Sequence, residues 1–98
     1  MVKHIIVWKL KEDIADKNAI KSKIKTELEG LVGKIDGLKE MKILIEGFES
    51  SSGDLMMDST FENEDALTAY QSHPLHLEAA NGLVRPNVDV RLSLDYEV

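Results

Sequence analysis

Hydrophobic and polar residues alternate at both ends of the chain, which indicates β-strands there. At the N-terminal end, residues 3–10 ("KHIIVWKL") are rich in β-branched and aromatic types and are apolar on both faces at their centre. At the C-terminal end, apolar residues from Val88 to Tyr96 alternate with polar ones such as Asp89 and Arg91. The first pattern is typical of a strand covered on both sides, and the second of a strand with one polar face.

Between these strands, a stretch of the chain repeats its apolar residues at helical period. The apolar positions follow one another at intervals of four, four, three and four residues: Ile20, Ile24, Leu28, Leu31 and Ile35. This spacing predicts one amphipathic helix that buries a single stripe. Asp16 can cap its N-terminus, and Gly37 can end it in the left-handed conformation.

Two further strands and a second helix complete the predicted order. Residues 38–48 and 55–61 have strand composition and flank a Ser- and Gly-rich turn, and Asn63 can cap the helix that contains Tyr70. The order β-α-β-β-α-β predicts an α+β fold, a ferredoxin-like sandwich with both helices on one face of an antiparallel sheet. Residues 1–98 are too few for two cores, so we expect a single domain.

The sheet face away from the helices needs a cover. Four strands of about six residues give a face of about 400 Å², which is within the range of the largest apolar patches that monomers expose. On this face the first strand is apolar, the third is partly apolar through Met56, and the last strand is expected to be polar. Symmetric dimers are the commonest oligomers, so we expect a homodimer in which two sheets cover each other.

Composition narrows the range of partners and locations. The chain has a net charge of −6 and no basic stripe, so nucleic acid is not an expected partner. It has no cysteine, which excludes disulfides and thiolate metal sites. No apolar stretch approaches the roughly 20 residues of a membrane helix, and the short apolar run near the start does not fit a signal peptide. We therefore expect a cytoplasmic protein without membrane contact.

The segment "AYQSHPLHLEAANG", residues 69–82, holds two of the chain's three histidines. Proline disfavours helical geometry in the residue before it and is accepted in the first turn of a helix. One helix should therefore end near Ser72, with His73 at the break and a new helix from Pro74 to about Leu83. The two histidines then share no continuous helical face, and no carboxylate lies at ligand spacing, so no metal site is expected.

Tyr70 and His76 should both point towards the sheet from the two sides of this break. On the second helix, His76 shares its inward side with Ala80 and Leu83. A buried tyrosine and a buried histidine each need a hydrogen-bond partner. The pair either forms a packed corner that is satisfied within the protein, which spacing alone favours, or faces a ligand cavity.

The chain resembles the stress-responsive dimeric α/β-barrel (Dabb) domain family over nearly its whole length. The resemblance rests on "VKHIIVWKLK", "GLKEMKI", the block "STFENEDALTAYQSHPLHLEAAN" with its Y-x-x-H-P-x-H spacing, and "VRLSLDYEV". It implies a homodimer in which two ferredoxin-like protomers form an α/β barrel.

One plant branch of that family comprises polyketide cyclases, which close a ring in a linear poly-β-keto thioester by intramolecular aldol condensation. Resemblance to this branch implies Tyr70 and His76 as catalytic residues, with His76 as the base and Tyr70 as the donor, and it implies no cofactor and no metal. Histidine titrates near neutral pH, and a hydroxyl can stabilise an enolate oxygen, so the chemistry is physically sensible. The residues expected to contact a small apolar or polyketide-like ligand are His4, Ile6, Trp8, His73, Leu77 and Leu83.

Four functions remain open at this point. The favoured one is a homodimeric stress-type domain protein with a small, largely apolar ligand pocket and no assigned reaction. The alternatives are a cyclase-like enzyme, a cofactor-free monooxygenase similar to quinone-forming enzymes of this architecture, and a purely structural dimer without a pocket. A shared cavity at Tyr70 and His76 would separate the last of these from the others.

Overall fold

The computed structural model describes residues 1–98 and has the predicted order of elements. The strands and helices are β1 (Val2–Leu10), α1 (Lys17–Glu29), β2 (Leu38–Leu44), β3 (Leu55–Phe61), α2 (Glu64–Ser72), α3 (Pro74–Ala79), α4 (Arg85–Asn87) and β4 (Val88–Glu97). The strands form one sheet in the order β2-β3-β1-β4, and every neighbouring pair is antiparallel. The predicted ferredoxin-like α+β fold is confirmed.

Side-chain caps fix the starts of α1 and α2 as predicted. The Asp16 carboxylate accepts a hydrogen bond of 3.0 Å from the Ala19 N–H. The Asn63 side-chain oxygen accepts one of 2.8 Å from the Ala66 N–H. Each cap satisfies an amide that has no partner within the helix, which contributes about 1 kcal/mol.

Two elements are shorter than predicted. Helix α1 ends at Glu29, and the chain continues in turns in which Gly33 takes a φ of 88°, so the helix does not extend to Gly37. Strand β2 ends at Leu44, because Leu44 pairs with Met56 and β3 begins one residue before Met56. Residues 45–48 therefore have almost no strand opposite them.

The helix that begins at Pro74 changes its winding after six residues. A π-helical turn follows at Ala80–Val84, and α4 comes directly after it, so the helical segment covers the predicted range from Pro74 to Leu83 but changes its winding within it and continues to Asn87. The N–H of Arg85 donates to the carbonyl of Ala80, five residues earlier, which is the hydrogen bond of a π-turn. Arg85 then begins α4.

The register of β4 reverses the expected orientation of its two faces. His4 lies opposite Asp95, and Trp8 lies opposite Arg91. Directly opposed residues of neighbouring strands point to the same side, so the polar residues of β4 face the helices and its apolar residues face away. The expectation that β4 is polar on its outer face is therefore wrong. The exposed apolar residues of β4 on that face are Val90, Leu92, Leu94 and Tyr96.

The core lies between the sheet and the helices. Nineteen buried residues form one cluster, in which Ile6 and Leu10 of β1 meet Ile24 and Leu28 of α1. The last turns after α1 still add Leu31 to this cluster, although that residue lies outside the helix. None of the helices combines the length and apolar character that crossing a bilayer requires.

Candidate functional site

A cavity of about 500 Å³ lies between the sheet and the segment from α2 to α4. Its size falls within the usual range of small-molecule sites. Strand β1 contributes His4, Ile6 and Trp8 to the lining, and the helical side contributes Tyr70 and His76. The structure therefore brings together five of the eight residues that the sequence singled out.

Tyr70 and His76 are in direct contact within this cavity. Their ring centroids are 4.3 Å apart, with the planes tilted by 39°. The Tyr70 ring is 1% exposed and packs on Phe61, at a centroid distance of 4.9 Å. The Tyr70 hydroxyl makes no hydrogen bond within the chain. Every fully buried polar side-chain atom does have a hydrogen-bond partner, so this hydroxyl is not fully buried and faces the cavity. Burial raises the pKa of Tyr70, which keeps the hydroxyl protonated as a donor.

A single hydrogen bond determines which nitrogen of His76 carries the proton. Nδ1 of His76 lies 3.2 Å from the carbonyl oxygen of Gln71. A carbonyl only accepts, so Nδ1 donates, and in the neutral ring the lone pair is on Nε2. Burial lowers the pKa of His76 below its ordinary value of 6.5; the Gln71 carbonyl opposes this shift, and the charges of Arg85 and Arg91 add to it. The ring is therefore neutral, with a basic Nε2, at physiological pH.

His4 is held by a residue that the sequence did not single out. Nδ1 of His4 donates to the Asp95 carboxylate across the β1–β4 ladder, and the His4 side chain is almost fully buried. Its ring also lies edge-on to Phe61, at a centroid distance of 6.3 Å. The Asp95 contact fixes the orientation of a ring that lines the cavity. The alternation of β4 contained this signal, since Asp95 belongs to the polar series that turns inward.

The three other predicted ligand contacts lie outside the cavity lining. His73 caps α3, with its Nδ1 accepting a hydrogen bond of 3.1 Å from the Leu75 N–H. Leu83 is buried in the hydrophobic core, and Leu77 is half-buried on α3. His73 therefore shapes the helix break that positions the site, and Leu83 belongs to the hydrophobic core.

The cavity is more polar than the sequence suggested. Eight of its 14 lining residues are hydrophobic, and the other six are polar or charged. Four of these six were not among the predicted site residues: Gln71, Arg85, Asp89 and Arg91. The lining is therefore less apolar than expected: Asp89 and Arg91 enter it because the register of β4 turns its polar residues inward, and Gln71 and Arg85 come from the helical side. The chain contains no group of three or more His, Cys, Asp or Glu residues that could hold a metal ion.

Fold and site define a ferredoxin-like α+β protein with a ligand-sized cavity between its sheet and its helices. Residues 2–98 match the model of the Stress responsive A/B Barrel Domain (Dabb), and the chain belongs to this family. It is 33% identical over 103 residues to a stress-response A/B barrel domain-containing protein of Arabidopsis thaliana. The alignment covers 98% of this chain and 85% of that protein.

Solved structures share the fold over nearly the whole chain. A dimeric protein of unknown function with a ferredoxin-like fold from Bacteroides fragilis superposes with a TM-score of 0.90 at 26% identity, covering 99% of this chain and 95% of that one. The hydroxynitrile lyase of Passiflora edulis superposes with a TM-score of 0.82 at 19% identity, covering 99% and 92%. At that identity the second likeness shows the fold alone.

Proposed function

We propose that the protein is a homodimer in which each protomer binds a small carbonyl compound and transfers a proton at the carbon next to its carbonyl group. His76 acts as the base through Nε2, and the Tyr70 hydroxyl donates to the carbonyl oxygen. The observation that carries the proposal is the Nδ1–H bond of His76 to the Gln71 carbonyl, which leaves Nε2 basic beside an unbonded hydroxyl. A base and a donor in one cavity are the two groups that enolate formation requires.

The homodimer is supported by the outer face of the sheet. Leu92 is 68% exposed and Leu94 is 65% exposed, and Val7 of β1 lies directly opposite Leu92. Burying one leucine side chain contributes about 1.5–3 kcal/mol, so a second copy of this face is a favourable cover. The related Bacteroides fragilis protein is described as dimeric. Two such sheets packed together form the barrel that the family description names.

The pKa shifts of the two groups suit their assigned roles. Burial raises the pKa of Tyr70, so it remains a donor at every physiological pH. Burial lowers the pKa of His76, so the base is already deprotonated near neutrality. Opposite shifts on adjacent acid and base groups are a usual sign of assigned acid–base roles.

Intramolecular aldol ring closure is the specific reaction that we propose for a longer substrate. Proton removal by Nε2 of His76 yields an enolate, and the Tyr70 hydroxyl stabilises its oxygen. The enolate carbon then attacks a second carbonyl of the same chain, and a C–C bond forms as the new alkoxide takes up the proton. A cavity of about 500 Å³ can enclose a folded substrate with several carbonyl groups.

Deuterium exchange tests the proton transfer without knowledge of the natural substrate. The full chain is incubated with ethyl acetoacetate in deuterium oxide, and loss of the central C–H signal is followed by NMR. We expect exchange above the buffer rate, and a loss of about 100-fold or more of this acceleration in His76→Gln. Thermal unfolding of the variant checks that it is folded.

The matched control is the neighbouring histidine outside the cavity. His73→Asn keeps an acceptor at the N-cap of α3, so it should fold and exchange as the wild type does. A wild-type exchange rate equal to the buffer rate, or an unchanged rate in folded His76→Gln, would contradict the proposed reaction. Ligand binding without exchange would leave a binding domain as the function.

A further inference from the structure

Both arginines of the chain line the same cavity. The sequence contains only Arg85 and Arg91, and the remaining ten of its 12 basic residues are lysines. No lysine lines the cavity. A guanidinium presents five donors in a planar fork that matches a carboxylate or phosphate, whereas a lysine is a point charge. The basic residues of this cavity are therefore the type best suited to bind an oxyanion.

Neither arginine has a carboxylate partner within the chain. Nη1 of Arg85 donates to the Asn81 side-chain oxygen, and Nη1 of Arg91 lies 3.5 Å from the Ser93 hydroxyl oxygen. No ion pair in the structure includes an arginine or Asp89. The contacts are with neutral groups, so both positive charges and most of the donors remain available.

The charge of the lining is opposite in sign to that of the protein. Asp89 is the only carboxylate in the lining against two arginines, which leaves one net positive charge there, in a chain of net charge −6. Asp95 lies nearby, but it accepts from His4. At short range, a charge-assisted hydrogen bond to a guanidinium outweighs the screened repulsion from distant surface carboxylates.

Both arginines share this cavity with the acid–base pair. Arg91 lies opposite Trp8 in the β1–β4 ladder, and Asp95 lies opposite His4. Four residues separate Arg91 from Asp95, so Arg91 is about 13 Å along β4 from the His4 end of the cavity. Arg85 directly follows the π-helical turn at Ala80–Val84, which comes after the helix that contains His76. The positive charges of both arginines act to lower the pKa of His76, in the same direction as burial. A bound anion would neutralise these charges and make Nε2 a stronger base.

We propose that the ligand of this cavity carries an oxyanion, a carboxylate or a phosphate, which Arg85 and Arg91 bind while its uncharged part reaches Tyr70 and His76. The inference rests on the proposed function only for the placement of the ligand in this cavity. The proton transfer itself is a separate claim, and binding can be measured without it.

Three probes separate charge from shape: levulinate, its neutral methyl ester, and dihydroxyacetone phosphate. Trp8 is the only tryptophan of the chain and lines the cavity, so its fluorescence reports binding. We expect levulinate or dihydroxyacetone phosphate to bind about tenfold or more tightly than methyl levulinate. The preferred anion identifies the source, a free keto acid or a phosphate ester. Binding of the preferred anion should also raise the pKa of His76, measured by NMR.

Charge-removing variants complete the test. Arg85→Gln and Arg91→Gln should each weaken binding of the preferred anion by about tenfold and leave the ester unchanged, since charge-assisted bonds are lost. Arg91→Lys keeps the charge and should lose less. Lys23→Gln removes the same charge from an exposed site on α1 and should change neither.

Three results would overturn the inference. The first is equal affinity for levulinate, dihydroxyacetone phosphate and methyl levulinate. The second is anion binding that is undiminished in both arginine variants, and the third is no binding of either anion up to about 10 mM. Each is independent of the exchange assay. If the protein exchanges ethyl acetoacetate but shows no preference for anions, only the oxyanion inference is contradicted. If it binds the anions but catalyses no exchange, only the proposed proton transfer is contradicted.

Discussion

Tyr70 and His76 lie on two different helices, and their ring centroids are only 4.3 Å apart because the chain turns between them. His73 is extended, with ψ 134°, as expected for a residue before proline, and α3 starts afresh at Pro74. The last turn of α2 and the first turn of α3 then face the same cavity. A continuous helix would not bring positions six apart into this contact.

Tyr70→Phe should separate function from stability. The hydroxyl has no hydrogen-bond partner within the chain, so its removal should change the free energy of unfolding by less than about 1 kcal/mol. The enolate oxygen would lose its donor, and we expect the exchange rate of ethyl acetoacetate to fall by about 10- to 100-fold. Chemical denaturation and NMR exchange measure the two effects. A large loss of stability with unchanged exchange would assign Tyr70 to packing.

Leu92→Asp should dissociate the proposed dimer. The substitution places a carboxylate at the centre of the outer sheet face, where burial against a second copy would leave it unpaired. Sedimentation velocity at micromolar concentration should give a dimer for the wild type and a monomer for the variant. Val32→Asp is the matched control, because Val32 is also exposed but lies in the turn after α1. A monomeric wild type would contradict the proposal.

Glu29 should make the stability of the protein depend on acid pH. Its carboxylate accepts a hydrogen bond of 2.9 Å from the Ile43 N–H and one of 2.8 Å from Lys25 Nζ. Burial acts to raise the pKa of Glu29, but these two groups outweigh it and hold the pKa below its ordinary value of 4.5. A carboxyl whose pKa is lower in the folded state than in the unfolded state stabilises the fold at pH values above its unfolded pKa. This contribution is lost as the pH falls through the pKa of the folded state.

Glu29→Gln should therefore lower the free energy of unfolding at neutral pH by about 1 kcal/mol, a modest figure because the side chain is partly exposed. The difference from wild type should shrink as pH falls below 4.5. Denaturation at a series of pH values measures it. Glu27→Gln, at an exposed position on α1 outside every ion pair, should be neutral throughout. A deficit that persists in acid would point to lost packing.

Local signals in the sequence predicted the frame of the site. The proline break and the two caps each depend on a few neighbouring residues, and the structure has all of them. The length of α1 and the π-helical turn were not predicted. They depend on tertiary packing and on the left-handed conformation of Gly33, which composition does not reveal.

The orientation of β4 could not be predicted from the alternation of its residues. Alternation tells which residues share a face, but only the register against β1 tells which face they share, and a shift of one residue reverses the answer. The pairing of His4 with Asp95 turns Arg91 into the cavity and Leu92 outward. One register therefore accounts for the two charged residues that β4 adds to the lining, Asp89 and Arg91, and for the apolar outer face. The cyclase reaction, the dimer of this chain and its cytoplasmic location stay predictions.

The assignment of His76 as the base requires one tautomer of its ring and a lowered pKa. ¹⁵N NMR of the imidazole distinguishes a protonated Nδ1 from a protonated Nε2. We expect a proton on Nδ1, held by the Gln71 carbonyl, a lone pair on Nε2, and a pKa below the ordinary 6.5. A neutral ring with its proton on Nε2, or a pKa above 6.5, would contradict the assignment of His76 as the base.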